Sequence, residues 1–437
     1  MSSIEQSHNS STAEHLSDIP PAKKAPEVGG LVASTPPPDG GLKAWLQVAG
    51  AFSVSFNTWG LLNTFGIFQT YYEGGELFQN TSSNISWIGA IQSFLVLMGG
   101  LVSGPLYDRG YLRFLMGLGS FGIVFGLMML SLATEYWQVL LAQGFCVGLG
   151  AGLLFTPSVS VLQGYFRANI GLASGVAAAG SSLGGIIYPI VFYRLIDRIG
   201  FGWTVRTIGF IALITLLAPN VFLKQRIKPP GVRQFIDTTA FTDAPYMIFT
   251  IGCVFGFVGL YVMFFYISYY GLQTGVTDAA MAFYIVPIMN AASTFGRVLP
   301  NWLSDQTGPL NLMIPGGFIC GVLVLSMQAV HTLAGEVVIA ILFGFFSGVF
   351  IALPTVAFIV LTADKSRIGT RIGMGFAFFG VGTLTGGPGG GAILQQTGNG
   401  HNWTSTWVFG GVMLLASGFI FTTLRIWKSG FQLKVKT

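Results

Sequence analysis

Twelve long apolar stretches constrain the fold of this chain more than any other feature of its sequence. Each is about 20 residues or longer, the length that a helix needs to cross the hydrocarbon core of a bilayer. Only 8% of the 437 residues are charged, against roughly a quarter in soluble domains, so a soluble fold is excluded. The sequence predicts an all-α membrane protein with twelve transmembrane helices. The predicted spans are residues 43–72, 82–107, 113–133, 136–165, 169–196, 203–223, 245–271, 278–304, 311–331, 335–363, 369–396 and 404–428.

A polar, proline-containing segment near the middle divides the spans into two sets of six. It covers residues 224–244 and predicts a cytoplasmic loop between an N-terminal bundle, residues 43–223, and a C-terminal bundle, residues 245–428. Residues 1–42 are too polar to bury a core, so we expect a disordered cytoplasmic tail. A second, short cytoplasmic tail is expected at residues 429–437.

The distribution of Lys and Arg predicts which side of the membrane each loop faces, because basic residues concentrate on the cytoplasmic side. With the N-terminus inside, 17 of the 21 basic residues fall in cytoplasmic segments. Both termini are then cytoplasmic, and we expect the plasma membrane as the location. Glycosylation sequons at Asn80, Asn84 and Asn402 would face outside, whereas the sequon at Asn9 lies in the inner tail.

The two halves of the chain resemble each other. A shift of 200 residues places "GFCVGLGAGLL" (144–154) on "GFFSGVFIALP" (344–354), and a shift of 197 places Gly99 on Gly296. The repeat predicts two pseudo-symmetric six-helix bundles in parallel arrangement. That organisation is typical of major facilitator transporters, whose substrate site lies near the midplane between the halves.

The loop after the second span reads "GPLYDRGYLR" and resembles the major facilitator signature G-x-x-x-D-R-x-G-R-K/R, with Leu112 where an arginine is usual. Gly104 would allow close helix approach. Asp108 would lie at the N-terminal end of a neighbouring helix, where the helix dipole favours an anion. Arg109 and Arg113 would form pairs across the cytoplasmic face, so the loop is predicted to control gating.

Ordinary basic-inside topology alone also explains the arginines of this loop. The gating interpretation is favoured because the repeat copy "NWLSDQTG" keeps an aspartate, Asp305, and loses the basic residues. We therefore assign Asp305 to the same predicted gate.

Two further stretches resemble the monocarboxylate-porter family. "PDGGLKAW" (38–45) opens the first span, and "YFRANIGLASGVAAAG" (165–180) opens the fifth. The family pattern is an acidic-Gly-Gly-aromatic-x-Trp start and an aromatic pair followed by L-A-x-G-x-A-x-A-G. The first stretch departs from it at Leu42 and by one extra residue before Trp45. "LLNTFGIFQTYYE" (61–73) looks like the fungal branch of that family.

Arg297 interrupts the eighth apolar stretch. An arginine in the membrane costs several kcal/mol unless it faces a cavity and has partners, so it predicts a bidentate anchor for a carboxylate. The resemblance implies the same, since the position matches the arginine that binds substrate carboxylate in monocarboxylate porters. The alternatives are a side chain that extends to the inner surface, or a structural pair with Asp305, about 12 Å further along the helix.

The sequence does not show how transport would be driven. Proton-linked members of the family carry an aspartate one turn before the arginine and a lysine in the first span; here those positions are Ser293 and Asn63. The acidic residues and histidines all lie in tails, loops or at helix ends. Three sources remain open: a proton carried by the substrate, a gradient of the substrate itself, or a carboxylate at a helix end. The first two are favoured.

The predicted substrate site joins Arg297 to nearby aromatic and amide side chains, namely Trp59, Asn63, Tyr261 and Asn290. Aromatic residues at helical spacing more often serve packing or face lipid. As a group they suit a substrate with a large apolar body and one anionic or polar head.

The eleventh span contains "GVGTLTGGPGGGAI" (380–393). So much glycine with one proline weakens a helix. The stretch predicts either a flexible gate or tight packing against a neighbouring helix.

These features predict a secondary transporter that exports an acidic or amphiphilic fungal secondary metabolite by alternating access. An uptake permease for a monocarboxylate or vitamin-like acid and a non-transporting nutrient sensor are the alternatives. No motif suggests an enzyme, a cofactor or a metal, and Cys146, Cys253 and Cys320 lie in apolar runs as packing residues. The expected partners are the organic anion and membrane lipid, with no nucleic acid and no obligate protein partner.

Overall fold

A computed structural model describes residues 38–167, 169–226, 235–362, 367–395 and 402–430. Most of the predicted N-terminal tail, part of the central loop and most of the C-terminal tail therefore lie outside the described residues. The side chain of Asp305, which belongs to the predicted gate, also lies outside the described part.

All the regular structure in the described residues is helical. We number the membrane helices α1 to α12. Their bounds are Leu42–Asn57 continued by Trp59–Asn63 and Phe65–Glu73 (α1), Ser82–Asp108 (α2), Leu112–Leu130 (α3), Tyr136–Leu162 (α4), 170–199 (α5), 201–222 (α6), Ala244–Gln273 (α7), Ala279–Thr307 (α8), Pro309–Ser326 (α9), Leu333–Leu361 (α10), Ile368–Leu394 (α11) and Trp403–Ser429 (α12). Short 3-10 segments, Thr238–Thr242 and Met327–Ala329, precede α7 and follow α9.

Over the described ranges, nine apolar helices are long enough to cross a membrane, and they supply ten of the twelve spans. One of the nine, Ile170–Phe222, supplies both α5 and α6. It divides at Gly200, whose φ of 72° lies in the left-handed region that favours glycine. The other two spans are α1, which is divided into shorter pieces, and the glycine-rich α11. The fold predicted from the sequence is confirmed.

The breaks in α1 coincide with two threonines. The Thr58 hydroxyl donates to the Val54 carbonyl at 2.9 Å, and the Thr64 hydroxyl donates to the Gly60 carbonyl at 2.8 Å. The backbone N–H groups of both threonines donate to the same carbonyls, at 2.9 and 3.2 Å, and such an added side-chain bond often bends a helix. The middle of α1 is divided into short segments where it meets α7 of the other half.

Glycines at equivalent places hold each half together. A Cβ atom at Gly99 of α2 would lie 2.5 Å from the Cα atom of Gly152 in α4. A Cβ at Gly296 of α8 would overlap the Phe345 carbonyl oxygen in α10, and one at Gly348 would lie 2.6 Å from the Gly296 carbonyl carbon. The pair that the sequence repeat aligned therefore makes the same type of helix crossing in both halves.

Three helix pairs, α1–α7, α2–α11 and α5–α8, form contacts between the halves. The α2–α11 pair runs the length of the molecule. At one end the Ser83 hydroxyl donates to the Pro388 carbonyl at 3.1 Å, and at the other a Cβ at Gly373 would lie 3.6 Å from the Leu101 side chain. We call the end at which α1 begins the terminal end and the opposite end the distal end.

The glycine-rich stretch of α11 is an unbroken helix that packs closely on its neighbours. A Cβ at Gly386 would lie 2.5 Å from the Val258 carbonyl oxygen in α7, and one at Gly391 would lie 2.8 Å from the backbone nitrogen of Ser83 in α2. The glycines thus let α11 approach both α7 and α2. This observation supports the tight-packing alternative, and the flexibility of the stretch stays a prediction.

We expect Gly296→Ala to lower the thermal midpoint of the detergent-solubilised protein by several degrees, because a methyl group there overlaps backbone that cannot move aside. Overpacking of this kind costs about 1–3 kcal/mol. The matched control is Gly117→Ala in α3, where a Cβ meets nothing within 4 Å. A Gly296→Ala protein that melts with the Gly117→Ala control would contradict the close crossing.

Candidate substrate site

A small cavity lies between α1 and α7, and Ile351 of α10 also contributes to its lining. The lining residues are Trp59, Leu62, Asn63, Gly66, Phe257, Leu260, Tyr261, Phe264, Phe265 and Ile351. The volume of the cavity is about 10 Å³, which leaves room for about one water molecule. The halves must therefore separate before a bulky substrate can enter.

The structure brings together three of the predicted site residues, Trp59, Asn63 and Tyr261, at this cavity. The indole N–H of Trp59 and the side-chain amide N–H₂ of Asn63 are buried and have no acceptor among the described residues. An unpaired buried donor costs about 1–3 kcal/mol. Both donors would gain from a substrate that presents carbonyl or carboxylate oxygens.

Arg297 lies in α8 against α5, outside the cavity wall, and is completely buried. Its Nε donates to the Ser293 hydroxyl at 3.2 Å, and its Nη1 donates to the Ala178 carbonyl at 3.4 Å and to the Ser181 hydroxyl. Ala178 and Ser181 belong to the opposite half of the molecule. Its Nη2 group has no acceptor among the described residues, so the guanidinium links the halves and keeps one donor group unused.

Asn290 lies two turns before Arg297 on the same helix and also contacts α5. Its amide nitrogen donates to the Val286 carbonyl at 3.0 Å and to the Gly185 carbonyl at 3.4 Å, while its Oδ1 has no donor among the described residues. The predicted site residues thus form two groups in this conformation. One group lines the α1–α7 cavity, and the other lies in the α5–α8 contact.

The predicted gating residues lie at the terminal end of α2. Gly104 and Asp108 are buried in its last turns, whereas Arg109 and Arg113 are exposed. Gly110 makes the turn between α2 and α3 with a φ of 95°. Exposure of both arginines leaves their assignment to a gate as a prediction.

The two stretches that resemble monocarboxylate porters contact each other at the terminal end. The backbone N–H of Asp39 donates to the Tyr165 carbonyl at 3.1 Å, and the Asp39 carboxylate accepts from the backbone N–H of Arg167. The rings of Trp45 and Phe166 meet edge to face, 5.6 Å between centroids. The start of α1 is therefore attached to the loop that precedes α5.

Sequence comparison decides the family. The family model of the Major Facilitator Superfamily matches residues 48–357. The chain belongs to the major facilitator superfamily. It is 58% identical over 382 residues to MFS-type transporter dbaD of Emericella nidulans, covering 87% of this chain and 86% of that protein. It is 37% identical over 399 residues to the aspyridones efflux protein apdF of the same organism, covering 91% and 79%.

A solved transporter has the same fold. The nucleoside transporter NupG, in the crystal structure of a point mutant, superposes with a TM-score of 0.69 over 87% of this chain and 99% of that chain, at 14% identity. At that identity the likeness shows the fold alone. This superfamily member is a multi-pass membrane transporter with two pseudo-symmetric bundles.

An ion-pair cluster, which the sequence analysis missed, ties the central loop of the transporter to α11. Arg371 Nε contacts Asp237 at 3.0 Å and its Nη1 contacts Asp243, while Arg367 contacts Asp237 at 3.0 Å. The Thr239 hydroxyl also donates to Asp237, at 2.6 Å. In the sequence both arginines are simply basic residues of a predicted cytoplasmic segment, because nothing in the spacing shows that Asp237, 130 or more residues earlier, reaches them.

The structure also places two acidic residues in buried surroundings at helix ends. Glu336, in the first turn of α10, is fully buried with no hydrogen bond to either carboxylate oxygen among the described residues. Glu73, the last residue of α1, is half-buried. The sequence located both at helix ends but could not reveal their burial, which depends on neighbouring helices.

The three predicted glycosylation sites lie at the distal end. Asn80 and Asn84 are exposed beside the start of α2, and Asn402 caps the start of α12 by accepting from the Ser405 backbone N–H at 3.1 Å.

The Asp237 cluster predicts an acid-dependent loss of stability. Burial raises the pKa of Asp237, but hydrogen bonds from Thr239 and Arg371 and the charge of Arg367 outweigh it, and the pKa falls from 3.8 to about 2. A group whose pKa is lower in the folded state than in the unfolded state stabilises the fold at pH values above its ordinary pKa. This stabilisation is lost as the pH falls from about 4 toward 2.

We therefore expect Asp237→Asn to lower the free energy of unfolding by about 1.5–3 kcal/mol above about pH 5, as for other hydrogen bonds to a charged group. The deficit relative to the unmodified protein should shrink as the pH approaches 2. Thermal melting across this range measures it, with Asp197→Asn as the control because Asp197 is exposed. A deficit that stays constant with pH would contradict the assigned ionisation.

Proposed function

We propose that this superfamily member is of the monocarboxylate-porter type and exports an acidic secondary metabolite by alternating access. The observation that carries the proposal is Arg297, a fully buried guanidinium between the two halves with one donor group unused. The name of one relative, an aspyridones efflux protein, supports export as the direction. Uptake of a smaller acid is a second outcome that the experiment below distinguishes.

The hydrogen bonds of Arg297 suggest how substrate binding would change the conformation. In this structure its Nη1 donates to Ser181 and to the Ala178 carbonyl of α5. A substrate carboxylate is a stronger acceptor and can accept two parallel N–H bonds. When the carboxylate replaces Ser181 and Ala178, it removes a contact between the halves, and substrate binding then favours their separation.

The cavity between α1 and α7 would hold the rest of the substrate. Trp59 and Asn63 supply unpaired donors, and Tyr261 and Phe265 supply aromatic surface. This combination suits a molecule with a large apolar body and several carbonyl or hydroxyl oxygens. Separation of the halves would enlarge the cavity and join it to Arg297.

The orientation belongs to the proposal as well. We place the terminal end in the cytoplasm and the distal end outside, with the plasma membrane as the location. The support is the distribution of Lys and Arg. Gly104, Asp108, Arg109, Arg113 and Asp305 would then belong to a cytoplasmic gate.

The test of export compares metabolites inside and outside cells that have or lack the protein. Cells without it should accumulate an acidic metabolite. We expect Arg297→Gln to reduce efflux about ten- to hundredfold, since it removes hydrogen bonds to a charged group. Arg198→Gln is the matched control, because Arg198 is exposed.

Depletion of an acid from the medium only when the protein is present would instead identify an uptake permease. Normal transport by the Arg297→Gln protein in either direction would show that Arg297 is not a substrate anchor.

The orientation predicts that the sequons at the distal end receive glycans. We expect endoglycosidase treatment to increase the electrophoretic mobility of the protein made in a eukaryotic cell. Replacing Asn80, Asn84 and Asn402 together by Gln should abolish that change, and Asn9→Gln should leave it intact. A glycan carried on Asn9 would reverse the assigned orientation.

A further inference from the structure

We propose that Glu73 is a proton-binding site whose protonation favours closure of the distal end of the transporter. The inference rests on the proposed transport function and orientation, and adds what controls the outer gate. It concerns a carboxylate at the end of α1, far along the chain from Arg297 and outside the cavity lining.

The Glu73 carboxylate is held by two neutral donors. Its Oε2 accepts from the Ser82 hydroxyl at 2.6 Å, and its Oε1 accepts from the Gln69 side-chain amide at 2.8 Å. Among the described residues, no Lys, Arg or His pairs with it. The carboxylate is therefore half-buried without a compensating cation.

A chain of hydrogen bonds leads from Glu73 to the other half of the molecule. The Gln69 amide also donates to the Ser86 hydroxyl at 3.1 Å, and Ser86 shares a short hydrogen bond with Tyr266 of α7. The Tyr266 hydroxyl in turn contacts the Gly387 carbonyl of α11 at 3.0 Å. Glu73 is thus attached to the contact that holds the distal ends of the halves together.

This contact separates the substrate cavity from the distal surface. Ser83 donates to the Pro388 carbonyl one turn nearer the distal end than Ser86. On the cavity side, the rings of Phe65 and Phe265 lie 4.7 Å apart between centroids, with Phe265 in the cavity wall. The distal end can open only when these contacts break.

The titratable groups that face Glu73 are few. Tyr266 and Tyr269 face it from α7 and are neutral at physiological pH. The residues that meet it from α2 are serines, and α11 contributes a glycine carbonyl to the same hydrogen-bond chain. Glu76, three residues further on, is exposed. Within the described ranges, Glu73 is therefore the one carboxylate in this contact.

Burial without a cation links the proton to the gate. Withdrawing an ionised carboxylate from water is costly, and the protonated form avoids that cost. Closing the distal end removes water from Glu73, so it favours the protonated carboxyl group, and opening favours the carboxylate. By linkage, proton binding favours the closed gate.

The proton balance of this step is simple. One proton from the aqueous phase at the distal end binds Glu73 when the gate closes. The same proton returns to that phase when the gate opens. An acidic medium would therefore favour closure of an exporter after it has released its substrate.

The experiment measures the gate directly and needs no substrate. Spin labels are attached at Asn84→Cys on α2 and Gln395→Cys after α11, two exposed positions on opposite halves. The native cysteines are replaced by Ala in the full-length protein, and it is reconstituted in lipid nanodiscs. Double electron–electron resonance then gives the distance distribution from about pH 5 to about pH 9.

We expect a short distance at acidic pH and a growing population of longer distances as the pH rises. Glu73→Gln, a neutral side chain of the same shape, should show the short distance at every pH. Glu76→Gln removes an exposed carboxylate three residues away and should behave as the background protein. A pH-dependent distance that persists in Glu73→Gln, or a background protein without pH dependence, would overturn the proposal.

Ser82→Ala provides an independent test, in case Glu73→Gln does not fold. It removes a donor to the ionised carboxylate in the closed state and does not alter Glu73 itself. The ratio of open to closed protein at alkaline pH should rise about two- to tenfold, with the acidic limit unchanged. An equal change at both limits would mean that Ser82 acts only in packing, and would count against the proposal. Neither result depends on whether the protein exports an acid.

Discussion

Close helix contact without a hydrophobic driving force is the constraint on which the rest of this structure depends. Lipid is as apolar as a leucine side chain, so helices in a bilayer associate through packing and hydrogen bonds, which small residues permit. Gly99 against Gly152 and Gly296 against Gly348 provide that approach in the two halves. Each half is therefore tightly packed.

Contacts between the halves also include close glycine packing, as at Gly391 against Ser83, but many of them are hydrogen bonds from polar side chains. Arg297 donates to Ser181 near the middle, Ser86 bonds Tyr266 near the distal end, and all of these groups lie in buried surroundings. A hydrogen bond can be exchanged for water or for a substrate oxygen at little net cost, whereas a packed glycine crossing cannot. The bonds between the halves are thus suited to breaking and re-forming during transport.

Sequence reasoning predicted the fold well and the candidate site only in part. The spans, including the boundary between 196 and 203, follow from apolar length, and the repeat follows from matching residues in the two halves; these are properties of the sequence itself. Trp59, Asn63 and Tyr261 do share one cavity. That Arg297 contacts α5 instead of this cavity could not be read from its position, because the partner helix lies more than a hundred residues earlier in the chain.

The sequence by itself determined that this chain crosses a membrane twelve times in two similar halves, because a bilayer leaves helices of that length and apolarity no other stable arrangement. It also placed an arginine within the eighth span and left open whether that side chain finds polar partners there or extends to the inner surface. Only the tertiary structure decided that its guanidinium donates to a side chain and a carbonyl of the other half, that Glu336 is buried and Glu73 half-buried at helix ends, and that Glu76 is exposed. Whether a side chain is buried depends on the helices packed around it, and the residues of those helices are distant in the chain.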